Sequence, residues 1–199
     1  SPLNDIQSCA LDLLYNKDIP IKFLIGKIGS GKTYLATNLG FYYTLEKGLY
    51  NKVLVVRNPI GAGEDIGFLP GDKLDKVGEF YTPIKQNADI SDIEPLFENG
   101  QLEFNIPFFI KGSTYDNTWM IIDECEDMDV NTIKIIGGRV GKNSCIIFCG
   151  DYMQVENKFR FNNGLKYAVD KLKGNSLVGV VFLEQNVRSD ASSVFLSLG

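Results

Sequence analysis

Gly26-Lys27-Ile28-Gly29-Ser30-Gly31-Lys32-Thr33 fits the pattern GxxxxGK[ST]. Glycines at these positions let successive backbone N–H groups point into one concavity, where side chains would collide with phosphates. A helix starting near Lys32 adds its positive end. Lys32 can reach the β- and γ-phosphates of a nucleotide, and the Thr33 hydroxyl can ligate Mg²⁺. Further along the chain, Trp119-Met120-Ile121-Ile122-Asp123-Glu124 is an apolar run closing on two carboxylates. In a parallel sheet its C-terminal end lies on the same edge as the phosphate loop. Asp123 would there hold Mg²⁺ directly or through water. Glu124 would orient and deprotonate an attacking water. The acidic residues that follow, Glu126, Asp127 and Asp129, read as solvated charges.

Two later segments repeat the layout of a strand ending in polar residues. Cys145–Cys149 runs into Gly150-Asp151-Tyr152-Met153-Gln154. Gln154 is placed to sense a γ-phosphate, and Asp151 either shares that edge or caps the next turn. Arg188 follows the last apolar run. Its guanidinium either stabilises charge on a leaving phosphoryl group or is a solvated surface charge.

The elements that must position these residues are legible as short apolar runs. Ile21–Ile25, Val53–Val56, Trp119–Ile122, Cys145–Cys149 and Val178–Leu183 have the continuous hydrophobicity of parallel strands buried on both faces. Helical patterns lie between them at Ile6–Tyr15 (with Asn4 or Asp5 as cap), Lys32–Glu46, Val130–Gly137 and Asn163–Lys173. Strand and helix in alternation predict an α/β fold, a parallel sheet with helices on both faces. The stretch 58–110 breaks the pattern. It is rich in proline and glycine and too long for a plain loop. It reads as an inserted segment after the second strand, with a helix at Lys73–Lys85 and a hairpin around Glu98–Phe104. Within it, Phe108 and Phe109 read as a buried aromatic pair, the alternative being a stacking patch with Lys111.

Composition narrows the functions available. The chain has 199 residues, 44% of them hydrophobic and 23% charged, which suits one globular domain over residues 1–199 and excludes disorder as the main state. A net charge of −5 argues against a broad nucleic-acid or membrane surface driven by bulk charge, though not against a local basic groove. The chain has no histidine, which removes His-based triads, His general bases and most zinc sites. Its four cysteines form no CxxC pair and read as buried thiols of a cytoplasmic protein. No apolar run reaches the ~18 residues that span a bilayer, and the first residues show no signal-peptide pattern. The start without Met and the abrupt end leave room for a longer native chain.

Taken together these segments resemble the PhoH-like family, P-loop ATPases related to superfamily 1 helicases. The most specific match is Val56-Arg57-Asn58-Pro59-Ile60-Gly61-Ala62-Gly63-Glu64-Asp65-Ile66-Gly67-Phe68-Leu69-Pro70-Gly71-Asp72, similar to the family's Arg-x-Pro, Ala-Gly-Glu and Gly-Phe-Leu-Pro-Gly-Asp stretch. The likeness continues through Lys111-Gly112-Ser113-Thr114, the Asp123-Glu124 pair, Gly150-Asp151 with Gln154, Gly164-Leu165 and Val187-Arg188. It implies a P-loop NTPase (RecA-like) sheet. It also implies that Gln7 reads the adenine edge, that Gln154 couples the γ-phosphate to nucleic acid, and that Arg188 contacts the γ-phosphate. Arg139 matches a family arginine that reaches a site in this or a neighbouring subunit. One departure stands out: Glu126 replaces the family's usual glutamine.

The reading with most support is a Mg²⁺-dependent ATPase acting with RNA or single-stranded nucleic acid, as a homo-oligomer for which a ring is one arrangement. A P-loop small-molecule kinase shares the loop and the metal. Against it stand Glu124, which suits water activation, and arginines too dispersed to form a lid. A module that binds ATP without turning it over is the third class.

Overall fold

The computed structural model describes residues 5–58, 84–86, 88–90, 92–110, 112–151 and 163–183. Helix α1 (Asp5–Tyr15) leads into strand β1 (Ile21–Gly26), and α2 (Lys32–Phe41) continues as a π-helical turn over Tyr42–Glu46. Next come β2 (Lys52–Val56), the short α3 (Glu94–Glu98), β3 (Leu102–Asn105) and β4 (Thr118–Ile122). A 3₁₀ turn (Cys125–Asp127), α4 (Val130–Gly137), β5 (Cys145–Gly150), α5 (Gly164–Leu172) and β6 (Val178–Leu183) complete the described elements.

The strands form one six-stranded sheet in the order β3-β2-β4-β5-β1-β6, and every pairing is parallel. All five expected strands are present. The hairpin expected around Glu98–Phe104 is not: β3 pairs parallel with β2, Val53 facing Leu102 and Val56 facing Asn105. The turn at Asn99–Gly100 connects α3 to β3 instead, because Pro95 opens a helical turn where a hairpin needs an extended strand. The inserted segment therefore returns to the sheet and extends its edge. Most of the helix expected at Lys73–Lys85 lies outside the described residues.

Side chains alternate between two cores. Leu24, Val53, Val55, Trp119, Ile121, Ile147 and Cys149 face α1 and α2. Phe23, Ile25, Leu54, Val56, Met120, Ile122, Ile146 and Phe148 face α4 and α5. Helices thus cover both faces of the central strands β1, β2, β4 and β5, which have no solvated side to select polar residues, whereas β6, expected to be buried on both faces, is an edge strand that is half-buried, with Phe182 exposed. Lys22 is the exception, a lysine 1% exposed within β1. Its ammonium donates to the carbonyls of Asn16 and Ile19 in the connection between α1 and β1, which offsets the cost of burial. Burial still pushes its pKa down, against the raising influence of the Cys145 thiol. Cys125, Cys145 and Cys149 are buried as expected, whereas Cys9 is exposed. Its place on the outer face of α1 puts it on the solvent side of an amphipathic helix.

Candidate active site

The phosphate loop follows β1 on the C-terminal edge of the sheet. Gly29 (φ 81°) and Gly31 (φ 90°) both have left-handed backbones, which explains glycine at these positions. Gly31 is also the N-cap of α2, so the loop ends where the helix presents its first-turn amides. Lys32 Nζ folds over the loop, donating to the carbonyls of Gly26 at 2.6 Å and Lys27 at 2.9 Å. Ser30 is buried beneath, and Ile28 is exposed at the tip. Gln7 is buried on α1, and its Nε2 donates to the Ser30 carbonyl at 3.4 Å. A Cβ on Gly31 would fall 2.9 Å from that amide nitrogen. Gln7 therefore lies against the loop backbone.

Asp123 lies one residue past β4, and its N–H donates to the Val56 carbonyl at 2.8 Å, extending the ladder between β2 and β4. Thr33 Oγ1 donates to Asp123 Oδ1 at 2.7 Å, joining residues ninety positions apart. This contact needs α2 held in register with β4. Trp119, on the strand that leads into Asp123, supplies the hold, because its indole N–H donates to the Ala36 carbonyl of α2 at 3.0 Å. Gly40 leaves the slot the ring fills, since a Cβ there would meet Trp119 Cδ1 at 2.5 Å.

Arg57 completes the acidic centre. It is the first residue after β2, and its Nη1 lies 3.3 Å from Asp123 Oδ2 and its Nη2 3.4 Å from Glu124 Oε1. Asp123 is 5% exposed and Glu124 39% exposed. Burial, and secondarily the Glu124 carboxylate, push the Asp123 carboxyl above its ordinary range, while Arg57 and the Thr33 hydroxyl pull it back. Glu124 has a left-handed backbone (φ 52°). For a residue other than glycine this costs about 1–3 kcal/mol. It turns the chain sharply after β4, so that the two consecutive carboxylates take different surroundings. Sequence reasoning assigned Arg57 no role. The sequence carried part of the signal, a charged residue just past a buried apolar run and so on the sheet edge that singled out Asp123, but the pairing of β2 with β4 that makes Arg57 its neighbour is set by the fold.

The acidic residues after Glu124 correct the expectation of solvated charges. Glu126 is 4% exposed; its Oε2 accepts the Asp151 N–H at 3.1 Å. Burial, and then the hydrogen bond and charge of Glu124, push its pKa from an ordinary 4.5 up to about 9. Asp129 is the N-cap of α4 and accepts from the Thr132 N–H at 2.7 Å. The Asp127 carbonyl accepts from Asn58 Nδ2 at 3.0 Å, tying this turn to the residue after Arg57. The segment is short and acidic in sequence but is folded back under the edge of the sheet. Asp151, also buried, serves as the backbone partner of Glu126.

Two further expectations change. Phe108 and Phe109 are each 66% exposed, their rings edge to face at 5.3 Å. The expected buried pair is replaced by the buried Ile110, because the turn after β3 brings only that residue back to the core. The Arg139 carbonyl accepts from the Tyr115 N–H before β4, at the edge opposite the phosphate loop. With the full length of β4 between them, about 16 Å, Arg139 cannot reach the site of its own chain. Gln154, Arg188, Lys111 and the Pro59–Asp72 part of the signature lie outside the described residues.

The family model described as PhoH-like protein matches residues 1–198. The chain belongs to the PhoH-like family. It is 33% identical to Protein PhoH2 of Bacillus subtilis over 207 residues, covering 99% of this chain and 47% of the relative. It is 32% identical to a PhoH-like protein of the same organism, covering 82% of this chain and 52% of the relative. For Protein PhoH of Escherichia coli K12 the identity is 28%, covering 85% and 50%. The chain thus spans about half the length of the curated relatives it matches. Among solved structures it is similar to the Pif1 helicase from Candida albicans (TM-score 0.47, 15% identity, 99% of this chain and 43% of that one). It is also similar to Bacteroides sp Pif1 in complex with ADP-AlF4 (TM-score 0.41, 14% identity, 98% and 45%). As a PhoH-like P-loop NTPase the chain has the nucleotide-binding loop and the acidic strand end on one edge of a parallel sheet. Among the described residues, no helix is long and apolar enough to cross a membrane.

Proposed function

We propose that this PhoH-like chain binds ATP and Mg²⁺ and hydrolyses the nucleotide, and that turnover is coupled to RNA or single-stranded nucleic acid. The observation that carries the reading is the 2.7 Å contact between Thr33 Oγ1 and Asp123 Oδ1. It brings the two oxygen ligands expected of a Mg²⁺-nucleotide site together beside the loop. Hard oxygen donors on a hydroxyl and a carboxylate suit Mg²⁺, which takes few protein ligands and completes its shell with phosphates and water. Thr33 and Asp123 would hold it, and once bound it would neutralise charge on the phosphates. The amides of residues 26–33 cradle the phosphates, and Lys32 moves from the Gly26 and Lys27 carbonyls onto the β- and γ-oxygens. Glu124, more exposed than Asp123 and sharing the Arg57 guanidinium with it, is the base that orients and deprotonates water. Gln7, Gln154 and Arg188 keep the roles the family resemblance implies: adenine edge, γ-phosphate sensing and γ-phosphate contact.

The nucleic-acid partner is supported by the exposed Phe108–Phe109 pair just past β3, on the nucleotide edge of the sheet. Aromatic faces can stack bases there. A homo-oligomer is supported by Arg139: the family resemblance gives it a role at a nucleotide site, and its backbone lies on the edge opposite the site of its own chain, which favours a neighbouring copy. Cysteines free of disulfides accord with a cytoplasmic setting. The test is phosphate release by the wild type, Lys32→Ala and Glu124→Gln, with and without Mg²⁺ and RNA. We expect Mg²⁺-dependent ADP formation without any acceptor, abolished in both variants, and RNA affinity that weakens as salt rises. Wild-type turnover no higher than that of the variants rejects the enzyme. ADP formed only with an added small-molecule acceptor points to a kinase.

A further inference from the structure

Arg57 is a charged group at the acidic centre that ATP hydrolysis as proposed above leaves without a task. Asp123 and Glu124 are adjacent in the chain, and two neighbouring carboxylates need a cation, the more so because Asp123 is 5% exposed. Lys32 does not supply it, since its ammonium is engaged with the carbonyls of Gly26 and Lys27. Arg57 does. Its Nη1 lies 3.3 Å from Asp123 Oδ2 and its Nη2 3.4 Å from Glu124 Oε1, so the guanidinium spans the pair with one contact to each carboxylate. With Thr33 on Oδ1 at 2.7 Å, both oxygens of Asp123 have a partner.

The hold is firm at the backbone and loose at the tip. The Arg57 N–H donates to the Asn105 carbonyl of β3 at 3.2 Å, and the next side chain, Asn58, donates to the Asp127 carbonyl at 3.0 Å. The main chain around Arg57 is therefore pinned. The guanidinium contacts are longer than the ~2.7–2.9 Å of a tight charge-assisted bond, and neither is the two-pronged pairing that arginine makes with a single carboxylate. The side chain can leave the pair while the strand stays.

We propose that Arg57 makes metal binding conditional on the nucleotide. It is the counter-ion of Asp123 and Glu124 when no nucleotide is bound, so a free divalent cation must displace it from Asp123 with nothing to offset the loss. A nucleotide changes the balance, because its phosphates bring further oxygen ligands for the cation and an anion with which the guanidinium can pair instead. Thr33 ties Asp123 to the end of the phosphate loop, which brings those phosphates beside Arg57. The proposal rests on the Mg²⁺-nucleotide reading of the site. It predicts what a merely structural ion pair does not: removing the guanidinium strengthens binding of the metal alone.

The experiment titrates Mn²⁺, a paramagnetic stand-in for Mg²⁺, into the nucleotide-free protein and reads free Mn²⁺ by electron paramagnetic resonance. Wild type, Arg57→Met, Arg57→Lys and the double variant Arg57→Met with Asp123→Asn are compared. Arg57→Met is expected to bind Mn²⁺ about 10-fold more tightly than the wild type, the scale of a hydrogen bond to a charged group, and the gain is expected to vanish in the double variant. Arg57→Lys, whose single ammonium is a point charge rather than a fork, should fall between, and it decides the question by itself if Arg57→Met does not fold. By reciprocity, Mn²⁺ should raise ADP affinity by a smaller factor in Arg57→Met than in the wild type. Arg57 variants that bind Mn²⁺ no more tightly than the wild type overturn the proposal, as does a gain that survives Asp123→Asn. A wild type that binds ADP but releases no phosphate from Mg²⁺-ATP rejects hydrolysis and leaves the Mn²⁺ comparison to decide on Arg57. One that binds no ADP rejects the nucleotide site, and this proposal with it.

Discussion

Gly40→Ala tests how the two halves of the site are held together. In most helix interiors this substitution stabilises by about 1 kcal/mol, because alanine loses less conformational freedom than glycine. Here the new methyl would stand 2.5 Å from Trp119 Cδ1 and 2.6 Å from its Nε1, where ordinary contact begins at 3.4 Å. The ring cannot swing aside. Tyr43 and Tyr50 flank it at centroid distances of 5.5 and 5.4 Å, and its N–H is committed to Ala36. Overpacking of this kind costs about 3 kcal/mol at the upper part of its range, so the net effect is a loss of about 2 kcal/mol. If the indole is the cause, Gly40→Ala in a Trp119→Leu background should recover its usual gain of about 1 kcal/mol. The coupling between the two positions is then about 3 kcal/mol. Urea unfolding followed by far-UV circular dichroism measures all four proteins, which avoids relying on Trp119, the sole tryptophan, as the probe. Because α2 carries Thr33 and β4 carries Asp123, Gly40→Ala should also weaken Mg²⁺-ADP binding. A Gly40→Ala protein more stable than the wild type, or a loss of the same size in both backgrounds, would refute the reasoning.

Thr33→Val preserves shape and removes the hydroxyl that meets Asp123. ADP affinity should fall about 10-fold or more in the presence of Mg²⁺, the worth of a hydrogen bond to a charged group, and stay unchanged with chelator. Titrations under the two conditions check this, and a loss that ignores Mg²⁺ counts against a metal at Thr33. Glu126 makes stability depend on pH. Its folded pKa is raised from 4.5 to about 9, so the folded state binds the proton more tightly. Its contribution is complete below pH 4.5 and is lost as pH climbs toward about 9. Melting temperatures of the wild type should therefore fall relative to those of Glu126→Gln as pH rises through that window, and parallel curves would show that Glu126 is not protonated in the fold.

The phosphate loop was legible in the sequence because its chemistry is local. Gly29, Gly31, Lys32 and Thr33 are close in the chain, and the left-handed backbone at both glycines is a property of a few consecutive residues. The core strands were legible for a similar reason. Burial on both faces leaves an unbroken apolar run, as in Val53–Val56 and Trp119–Ile122, whatever the strand order. Asp123 could be placed because a parallel sheet puts all C-terminal strand ends on one edge.

Tertiary structure decided what depends on neighbours distant in sequence. Strand order put Arg57 beside Asp123 and Glu124, and nothing in the local pattern of Val56-Arg57-Asn58 distinguishes an ion-pair partner from a surface charge. The same fold turned Glu126 inward to Asp151, although a run of acidic residues reads as solvated when only its own composition is considered. It also sent β3 to the edge beside β2 and left Phe108 and Phe109 in solvent, while Ile110 alone packed inside. Periodicity reports which side chains want burial. It does not report which polar groups will meet, because hydrogen bonds and ion pairs depend on distances that only the packed sheet and helices establish.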